Sequence, residues 1–239
     1  MTSHYNDLGQ EIGYPLTTWK PCNHPPKTEI YGQYCHIVLL SIEKHAKALY
    51  ESYSKNKDHR QWTYLPYGPF DGENGLNEFK KWLKESCIHN DPLFHCVIDI
   101  KTNKAVGLLS LMRIQPEIGV IEVGHVHFSP LMQGTRLSTE ALYLLMRRVF
   151  DELGYRRYEW KCDTLNTPSK NAANRLGFTL EGVFRQSTTY KGRTRDTAWF
   201  SIINNEWPKL KKQFESWLNP ENFNENGQQI HPLSFFKEK

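Results

Sequence analysis

Residues 133–138, QGTRLS, form the part of the chain best suited to hold an anion. They lie between a segment with the character of a β-strand and a segment with helical spacing, so they predict an elbow that opens a helix. The first backbone N–H groups of a helix have no partner inside it, and they bind anionic oxygen with the help of the helix dipole. Arg136 adds a fixed positive charge suited to a phosphate. An ordinary strand–helix connection explains this stretch alone equally well.

The strand before the elbow is predicted at residues 120–128, which are β-branched and apolar apart from Glu122, His125 and His127. Gly124 lies at its centre. Glycine inside a strand costs stability, so it predicts a bulge or the close approach of another backbone or a ligand.

The helix after the elbow is predicted from Leu137, because apolar residues then recur at helical spacing. Ser138 and Thr139 are predicted near its N-cap. Glu140 is predicted in the first turn, where a carboxylate suits the positive end of the dipole.

The remaining elements predict a mixed α/β fold. Further strands are predicted at residues 34–41, 94–100, 105–114, 158–163, 178–190 and 194–203. Further helices are predicted at residues 43–53, 74–86, 168–176 and 206–218. Hairpins dominate the first half and a strand–helix–strand step lies at the elbow, which indicates a twisted mixed sheet of about six to seven strands with helices on both faces.

Composition divides the chain into three parts. Residues 1–33 are polar and carry four prolines, so they are predicted to pack as an arm along the domain. Residues 34–218 contain the predicted elements and form a single domain. Residues 219–239 are predicted to be a loose polar tail, with a docking segment at 230–236.

Composition also argues against several classes of protein. The 239 residues carry a formal net charge of +4, spread diffusely rather than gathered into the basic patch of a nucleic-acid binder. The five cysteines are odd in number and form no CxxC pair, which disfavours a zinc site or a disulfide framework and indicates a reducing cytosol. The N-terminus lacks the apolar core of a signal peptide, and no run approaches the roughly 18 apolar residues of a membrane span. We therefore expect a soluble, cytoplasmic protein with no metal and no nucleic-acid or membrane partner.

Two motifs together resemble a known family. One is the elbow, which follows the pattern Q-G-x-x-x-[STA]; the other is Asn166-Thr167-Pro168-Ser169 followed by Leu176-Gly177-Phe178. This combination is similar to the GCN5-related N-acetyltransferases (GNAT), and in particular to the RimJ/RimL-type branch, whose named members acetylate ribosomal-protein N-termini. The resemblance covers roughly residues 31–208.

The resemblance implies an acetyl-CoA site along the elbow and the strand before it. The pyrophosphate would bind the backbone N–H groups of Gln133, Gly134, Thr135, Arg136, Leu137 and Ser138. The pantetheine arm would lie along the splayed strand edge at Val126, His127 and Phe128. Asn166 matches the residue that contacts pantetheine or orders water, and Ser169 matches the residue that protonates the leaving thiolate. Arg136 stands where the family typically has glycine, and it either contacts a phosphate directly or crowds the cofactor.

Acetyl transfer to an amine also needs a base, because an ammonium with a pKa near ~10.4 must lose a proton in or before the reaction. Glu122 is the candidate, since it matches the glutamate of histone-type members; a strand carboxylate paired with Lys or Arg is the equally supported alternative. In a regular strand, the side chains of His125 and His127 would point to the face opposite Glu122. One of them could shuttle a proton, although a hydrogen-bonded structural histidine is favoured. Tyr190 is a weaker candidate for the acid.

The acceptor pocket is predicted around the aromatic loop at residues 61–70 and the hairpin turn near residue 193. Trp62, Tyr64 and Tyr67 are its candidates in the loop, because long aromatic loops without periodicity often line binding sites. Arg193 is the candidate in the hairpin. The alternative is that the aromatic rings cap the core.

The sequence thus predicts an acetyl-CoA-dependent N-acetyltransferase. It would move the acetyl group to a primary amine of a protein N-terminus or a small molecule through a direct ternary complex. A non-catalytic acetyl-CoA-binding or ribosome-associated module on the same fold is the alternative, because fold and cofactor site do not prove turnover. The pair Asn166 and Ser169 favours catalysis. The sequence leaves open which amine is the acceptor and whether the protein is a monomer or a homodimer.

Overall fold

A mixed sheet forms the centre of the structure, a computed structural model that describes residues 3–237. A small hairpin comes first in the chain, formed by β1 (His4–Tyr5) and β2 (Glu11–Ile12). The eight strands of the main sheet are β3 (Ile30–Tyr31), β4 (Cys35–Leu39), β5 (Leu93–Asp99), β6 (Lys104–Gln115), β7 (Val120–Phe128), β8 (Arg157–Asp163), β9 (Thr179–Tyr190) and β10 (Arg193–Ile203). Their order across the sheet is β3-β4-β5-β6-β7-β8-β10-β9.

Five α-helices cover the two faces of this sheet: α1 (Ile42–Tyr53), α2 (Gly75–Ser86), α3 (Arg136–Arg147), α4 (Thr167–Arg175) and α5 (Trp207–Leu218). Alternate residues of a strand point to opposite faces, and β5 shows the result. Phe94 and Cys96 join the core under α1 and α2, whereas Val97 joins the core under α3, α4 and α5. The predicted mixed α/β fold is confirmed, and the sheet reaches eight strands because it includes the two-residue strand β3.

The strands β7 and β8 form the only parallel pair among the described residues, and they pair over a short distance. Val120 lies opposite Arg157, and the pairing ends where Val123 lies opposite Trp160. All other neighbours in the main sheet are antiparallel. A parallel pair needs a crossover, which α3 provides. The second half of β7 therefore has β6 on one side and a gap on the other.

A bulge lies in the middle of β7, as Gly124 predicts. Ser110 pairs with Gly124 and Leu108 with His127, so β7 has one residue more than β6 in this interval, and His125 has a φ of 49°. Glu122 already points away from the α3 face, because its neighbours in β7 belong to the core on that face. The extra residue brings His125 and His127 onto the same face as Glu122. The predicted parity, with both histidines facing away from Glu122, is therefore wrong.

The beginning of α3 also differs from the prediction. Its N-cap is Thr135, not Ser138 or Thr139, and the helix has no acidic residue in its first turn. Glu140 is instead buried one turn further on. Its carboxylate accepts three backbone hydrogen bonds of 2.7–2.8 Å from the turn between β3 and β4, donated by Gln33, Tyr34 and Cys35.

The two ends of the described chain both contact the domain. Arg148 donates to the backbone oxygens of Thr28 (2.6 Å) and Glu29 (3.1 Å), which holds the end of the predicted arm against the extension of α3. Near the other end, Leu233 is buried, and its backbone oxygen accepts a 2.7 Å hydrogen bond from Gln213 of α5.

The structure also bears on membrane-spanning helices and on the state of the cysteines. No helix within residues 3–237 is long and apolar enough to cross a membrane. All five cysteines carry free thiols, and four of them are buried.

Candidate functional site

A cleft of about 2100 Å³ opens where β7 and β8 separate. Its walls come from the loop after α1, the second half of β7, the elbow, α4, α5 and the residues after α5. Eleven of the predicted site residues lie in these walls: Tyr64, Val126, His127, Phe128, Gln133, Gly134, Thr135, Arg136, Ser138, Asn166 and Ser169. The structure thus brings the predicted cofactor residues together around one space.

The elbow leaves the N-terminus of α3 without a side-chain cap. The Thr135 hydroxyl donates to the Met132 backbone oxygen (2.7 Å), and the Ser138 hydroxyl donates to the Thr135 backbone oxygen (2.8 Å). Neither hydroxyl caps the first N–H groups of the helix, so these donors can bind an anion. Gly134 has a φ of 70°, a conformation that favours glycine at this turn.

Arg136 has a defined position beside the elbow. Its guanidinium lies 4.1 Å from the centre of the Tyr34 ring and 5.3 Å from that of Phe223, so two aromatic rings hold it. The side chain is half-buried and lines the cleft. Its charge therefore stands beside the uncapped helix N-terminus. Leu137 does not line the cleft; it packs against the core below α3.

The strand side of the cleft is formed by the second half of β7. The Gln133 side chain donates a 2.6 Å hydrogen bond to the Phe128 backbone oxygen, which ties the elbow to the end of this strand. His127 is buried between the rings of Tyr53 and Trp62, at centroid distances of 4.0 and 4.2 Å. Burial lowers the pKa of His127 to about 3, so the imidazole is neutral at physiological pH. The burial and the aromatic contacts fit a structural histidine, but neither ring nitrogen of His127 has a hydrogen-bond partner among the described residues, so the expected hydrogen bonding of this histidine is wrong.

Ser169 and Asn166 lie at the start of α4, on the opposite wall of the cleft. The Asn166 side chain caps the helix by accepting the Ser169 backbone N–H at 3.1 Å. The Ser169 hydroxyl accepts a 3.0 Å hydrogen bond from the indole N–H of Trp160, the residue at which β7 and β8 separate. Burial raises the pKa of the neighbouring Cys162 thiol, and a hydrogen bond from Ser169 partly opposes this shift.

Glu122 is buried in a cluster of charges and does not line the cleft. Its carboxylate lies 2.7 Å from the Lys161 ammonium and 3.1 Å from the Arg113 guanidinium. Lys161 in turn lies 2.7 Å from Glu159 and 3.7 Å from the centre of the Trp199 ring. Burial raises the pKa of Glu122, while Lys161 and then Arg113 oppose the shift. The carboxylate thus has the cationic partners that the alternative interpretation expects.

The four predicted acceptor residues occupy different places. Tyr64 lines the cleft, and its hydroxyl donates to the Leu165 backbone oxygen at 2.9 Å. Trp62 is buried in the core, and Tyr67 stacks on Trp82 at 4.0 Å. Both rings therefore belong to the aromatic cluster between α1 and α2, as the alternative interpretation proposes.

Arg193 and its neighbour Lys191 fasten this loop to the hairpin between β9 and β10. Arg193 donates to the backbone oxygen of Thr63 at 2.6 Å, and Lys191 donates to that of Trp62 at 2.9 Å. Arg193 therefore positions the loop that lines the cleft. It is not itself among the lining residues.

Sequence reasoning missed Trp160 and the residues after α5. Trp160 lines the cleft and donates to Ser169, but its position in a strand gave it no separate signal. Phe223 and Gly227 line the cleft from a segment that composition assigned to a loose tail. Tyr190, the weaker acid candidate, donates a 2.7 Å hydrogen bond to Asp163, and burial and this bond raise its pKa to about 12.

A comparison with protein families identifies the family to which this fold belongs. The family described as "Acetyltransferase (GNAT) domain" matches residues 36–179, which is more than half of the chain. The chain belongs to the GNAT acetyltransferase family. It is therefore an N-acetyltransferase, as the sequence predicts.

Three similar proteins agree with this assignment. A GCN5-related N-acetyltransferase structure from Brucella melitensis is 43% identical, with a TM-score of 0.89, over 93% of this chain and 99% of that one. Ribosomal-protein-serine acetyltransferase of Escherichia coli K12 is 27% identical over 61% of this chain and 79% of its own length, which supports the RimJ/RimL-type branch. The microcin C7 self-immunity acetyltransferase MccE, solved with acetyl-CoA and AMP, shares the fold at 22% identity, with a TM-score of 0.62, over 72% of this chain and 93% of that one.

Proposed function

We propose that the cleft binds acetyl-CoA and transfers its acetyl group directly to a primary amine of a protein N-terminus or a small molecule. One observation carries this proposal: a single cleft includes the uncapped start of α3, the unpaired side of β7 and the Ser169 hydroxyl. These are the sites that a pyrophosphate, an extended amide chain and a leaving thiolate need.

The pyrophosphate binds at the elbow in this proposal. The backbone N–H groups of Gly134, Arg136, Leu137 and Ser138 donate to its oxygens, supported by the helix dipole. Those of Gln133 and Thr135, also predicted as donors, already donate to the backbone oxygens of Ser129 and Met132 at 3.1 and 3.2 Å. Arg136 supplies the positive charge directly, because the rings of Tyr34 and Phe223 already hold its guanidinium beside the elbow. A held guanidinium loses little conformational entropy when it binds a phosphate.

The pantetheine arm extends from the elbow along Val126, His127 and Phe128. β8 no longer pairs with β7 beyond Val123, so the arm takes the place of a neighbouring strand. Peptide-like amides can bind a strand edge in this way, because the edge has free donors and acceptors. The thioester then lies near Trp160 and the start of α4, where Asn166 and Ser169 are found.

Ser169 is the proposed acid for the leaving thiolate. An indole N–H can only donate, so the hydroxyl must accept the hydrogen bond from Trp160 and keeps its own proton available. We expect this proton to pass to the coenzyme A thiolate during the reaction. Protonation of the thiolate by a positioned group promotes collapse of the tetrahedral intermediate.

Glu122 is the proposed base, acting through water. Its carboxylate lies on the face of β7 away from Ser169 and outside the cleft, so a direct contact with the amine is not available. Burial raises its pKa, which moves the carboxylate toward the range in which a base is effective near neutral pH. The network with Lys161 and Arg113 fixes its position.

The acceptor enters in this proposal beside the loop after α1, where Tyr64 lines the cleft. Two hydrogen bonds from the β9–β10 hairpin, donated by Lys191 and Arg193, hold that loop in place. The similarity to ribosomal-protein-serine acetyltransferase makes a peptide with an N-terminal serine the first acceptor to test.

Calorimetric titration with acetyl-CoA, followed by a screen of amines for thiol release, tests the proposal. We expect saturable binding and release of coenzyme A with at least one class of amine: N-terminal peptides, polyamines or amino acids. Failure to bind acetyl-CoA, or binding without release across all three classes, would contradict it. Mass spectrometry after incubation with acetyl-CoA alone tests the direct transfer, because an acetylated Cys162 would indicate a covalent intermediate instead.

A further inference from the structure

The sheet face that carries Glu122 continues over β8 and β10. Within the described chain, no residue of β8, β9 or β10 joins the core under α1 and α2, so this part of the face is not packed against those helices. Lys161 of β8 lies opposite Trp199 of β10, and its ammonium binds the Glu122 carboxylate. Thr197 faces the same way as Trp199, and its hydroxyl accepts a 3.1 Å hydrogen bond from Arg195 Nε. The face therefore runs from the proposed base to Arg195.

Three cations lie together at the Arg195 end of this face, and we call them the hairpin cations: Lys191, Arg193 and Arg195. The first two donate to backbone oxygens of the loop after α1, at 2.9 and 2.6 Å. The guanidinium groups of Arg193 and Arg195 lie 5.3 and 6.0 Å from the centre of the Tyr190 ring. None of the three forms an ion pair with a carboxylate of the described residues.

The carboxylates near the hairpin cations are engaged by neutral donors. Asp163 accepts from the Tyr190 hydroxyl at 2.7 Å and from the Leu165 backbone N–H at 2.8 Å. Asp196 accepts the Gln186 backbone N–H at 2.7 Å. Three further carboxylates of the face each pair with an arginine or a lysine: Glu122, Glu159 and Glu181. Three hairpin cations thus stand beside two carboxylates, which leaves this end of the face with an excess of positive charge.

This positive end lies beside the proposed entrance for the acceptor. Two of the hairpin cations hold the loop that carries Tyr64 in the cleft wall, and the Tyr64 hydroxyl donates to Leu165 at 2.9 Å. Arg195 is also close to the start of α4: burial raises the pKa of the Cys162 thiol, and the charge of Arg195 is among the effects that oppose the shift. Among the described residues that line the cleft, the one acidic side chain is that of Glu206, at the start of α5.

We propose that the acceptor is an anionic amine, a primary amine with carboxylates close to it, and that the hairpin cations bind those carboxylates. Arg195 is best suited to this role, because it is half-buried and only its Nε donates within the described part of the chain, which leaves both terminal nitrogens for a carboxylate. A positive field repels a polyamine, and it also favours the neutral form of an amine, which is the form that accepts the acetyl group. This inference rests on the proposed function, because it names the substrate class of the same site.

Two matched series of amines test the inference with the full chain and acetyl-CoA, by the rate of thiol release. One series has amidated peptides of equal length that begin Ser-Glu-Glu, Ser-Gln-Gln or Ser-Arg-Arg; the other has free glutamate, glutamine and arginine. We expect kcat/KM for the glutamate member to exceed that for the glutamine member by about tenfold in at least one series, the scale of one or two charge-assisted hydrogen bonds. The arginine member should be the poorest. The series that shows the preference identifies the source of the amine as a peptide N-terminus or a free amino acid.

Substitutions of Arg195 connect the preference to the hairpin cations. Arg195→Gln should reduce the preference severalfold, whereas Arg195→Lys, which keeps the charge, should retain most of it. Lys101→Gln is the matched control, because it removes the same charge from the exposed turn between β5 and β6, and it should keep the full preference. Added salt should also reduce the preference of the unmodified protein, since two of the hairpin cations are exposed.

The outcomes separate this inference from the proposed function. If no peptide, amino acid or polyamine releases coenzyme A, the proposed function fails and the anionic acceptor fails with it. If amines are acetylated but neither series prefers its glutamate member, or if a polyamine is the better acceptor, the proposed function stands and the inference is overturned. A full preference in Arg195→Gln also overturns it. Should Arg195→Gln fail to fold, the salt dependence of the unmodified protein decides in its place, and a preference that salt does not change contradicts the inference.

Discussion

The indole N–H of Trp160 donates to the hydroxyl of Ser169 at 3.0 Å, which joins the point where β8 leaves β7 to the start of α4. Trp160 is also the residue opposite Val123 in the last pair of β7 and β8. The same tryptophan thus marks the end of the parallel pairing and orients the serine. Because an indole can only donate, the orientation leaves the serine proton free to be given away.

Replacing Ser169 with alanine tests the proposed acid. We expect kcat to fall by about 100-fold, the usual contribution of one proton donor, while the Kd for acetyl-CoA changes little. Steady-state kinetics and calorimetry measure the two quantities. Ser187→Ala, in the exposed part of β9, is the matched control. A large loss of acetyl-CoA affinity in Ser169→Ala would make Ser169 a binding residue instead.

Replacing Arg136 with alanine tests the phosphate contact. The elbow should then bind acetyl-CoA and desulfo-coenzyme A about tenfold more weakly, and to the same extent, because both contain the pyrophosphate. Arg136→Lys keeps the charge but loses the planar contact with Tyr34 and Phe223, so an intermediate loss is expected. Calorimetric titration with both ligands measures the change. Unchanged affinity would leave Arg136 as a residue that only packs against the two rings.

The local parts of the site could be predicted from the sequence, because short patterns determine them. The bounds of β7 agree with the predicted residues 120–128, and Gly124 correctly indicated a bulge. Asn166 caps α4 over a separation of three residues. The direction of the bulge was not predictable, since only the pairing with β6 shows that the extra residue turns His125 and His127 toward α1.

Contacts between distant parts of the chain could not be predicted. Glu140 binds the backbone of Gln33, Tyr34 and Cys35, which are more than a hundred residues away, and no local pattern indicates such a partner. The C-terminal segment, residues 219–237, contains few apolar residues, so composition suggested a loose tail. Its position depends on single contacts such as the buried Leu233 and the side chain of Asn222.

Glu122→Gln tests the proposed base. A neutral side chain cannot accept the proton, so we expect the rate to fall much more near neutral pH than at high pH, where free amine is abundant. The substitution also leaves Lys161 with one carboxylate partner fewer in a buried position, which should cost about 3 kcal/mol of stability. Glu159→Gln, which takes from Lys161 its other carboxylate partner and leaves Glu122 in place, is the matched control for this structural effect. An equal loss of rate at both pH values would remove Glu122 from the role of base.

Glu140→Gln tests how firmly the turn between β3 and β4 is held against α3. An amide has one oxygen where the carboxylate has two, so a donor would face the backbone N–H groups of this turn. We expect the free energy of unfolding to fall by about 1.5–3 kcal/mol, measured by urea denaturation. Limited proteolysis should then cut sooner near Gln33, whereas Glu78→Gln on the surface of α2 should change neither property. Unchanged stability in Glu140→Gln would show that the contact between Glu140 and the β3–β4 turn contributes little to the domain.

The buried imidazole of His127 should make the fold sensitive to acid. Its pKa is lowered from 6.5 to about 3 by burial, so the unfolded chain binds a proton below pH 6.5 that the folded protein does not bind. The stability should therefore decrease as the pH falls from 6.5 toward 3, by up to ~1.4 kcal/mol per pH unit for this group. His95 has a pKa lowered to about 4 by burial and adds to the slope.

His127→Phe removes the titrating group and keeps a ring between Tyr53 and Trp62. Urea denaturation at several pH values between about 7.5 and 5 should show a smaller loss of stability for this variant than for the unmodified protein. His24→Phe, at an exposed position in the arm, should keep the full slope. An unchanged slope in His127→Phe would mean that the imidazole gains a proton in the folded state, in which case water must reach it from the cleft.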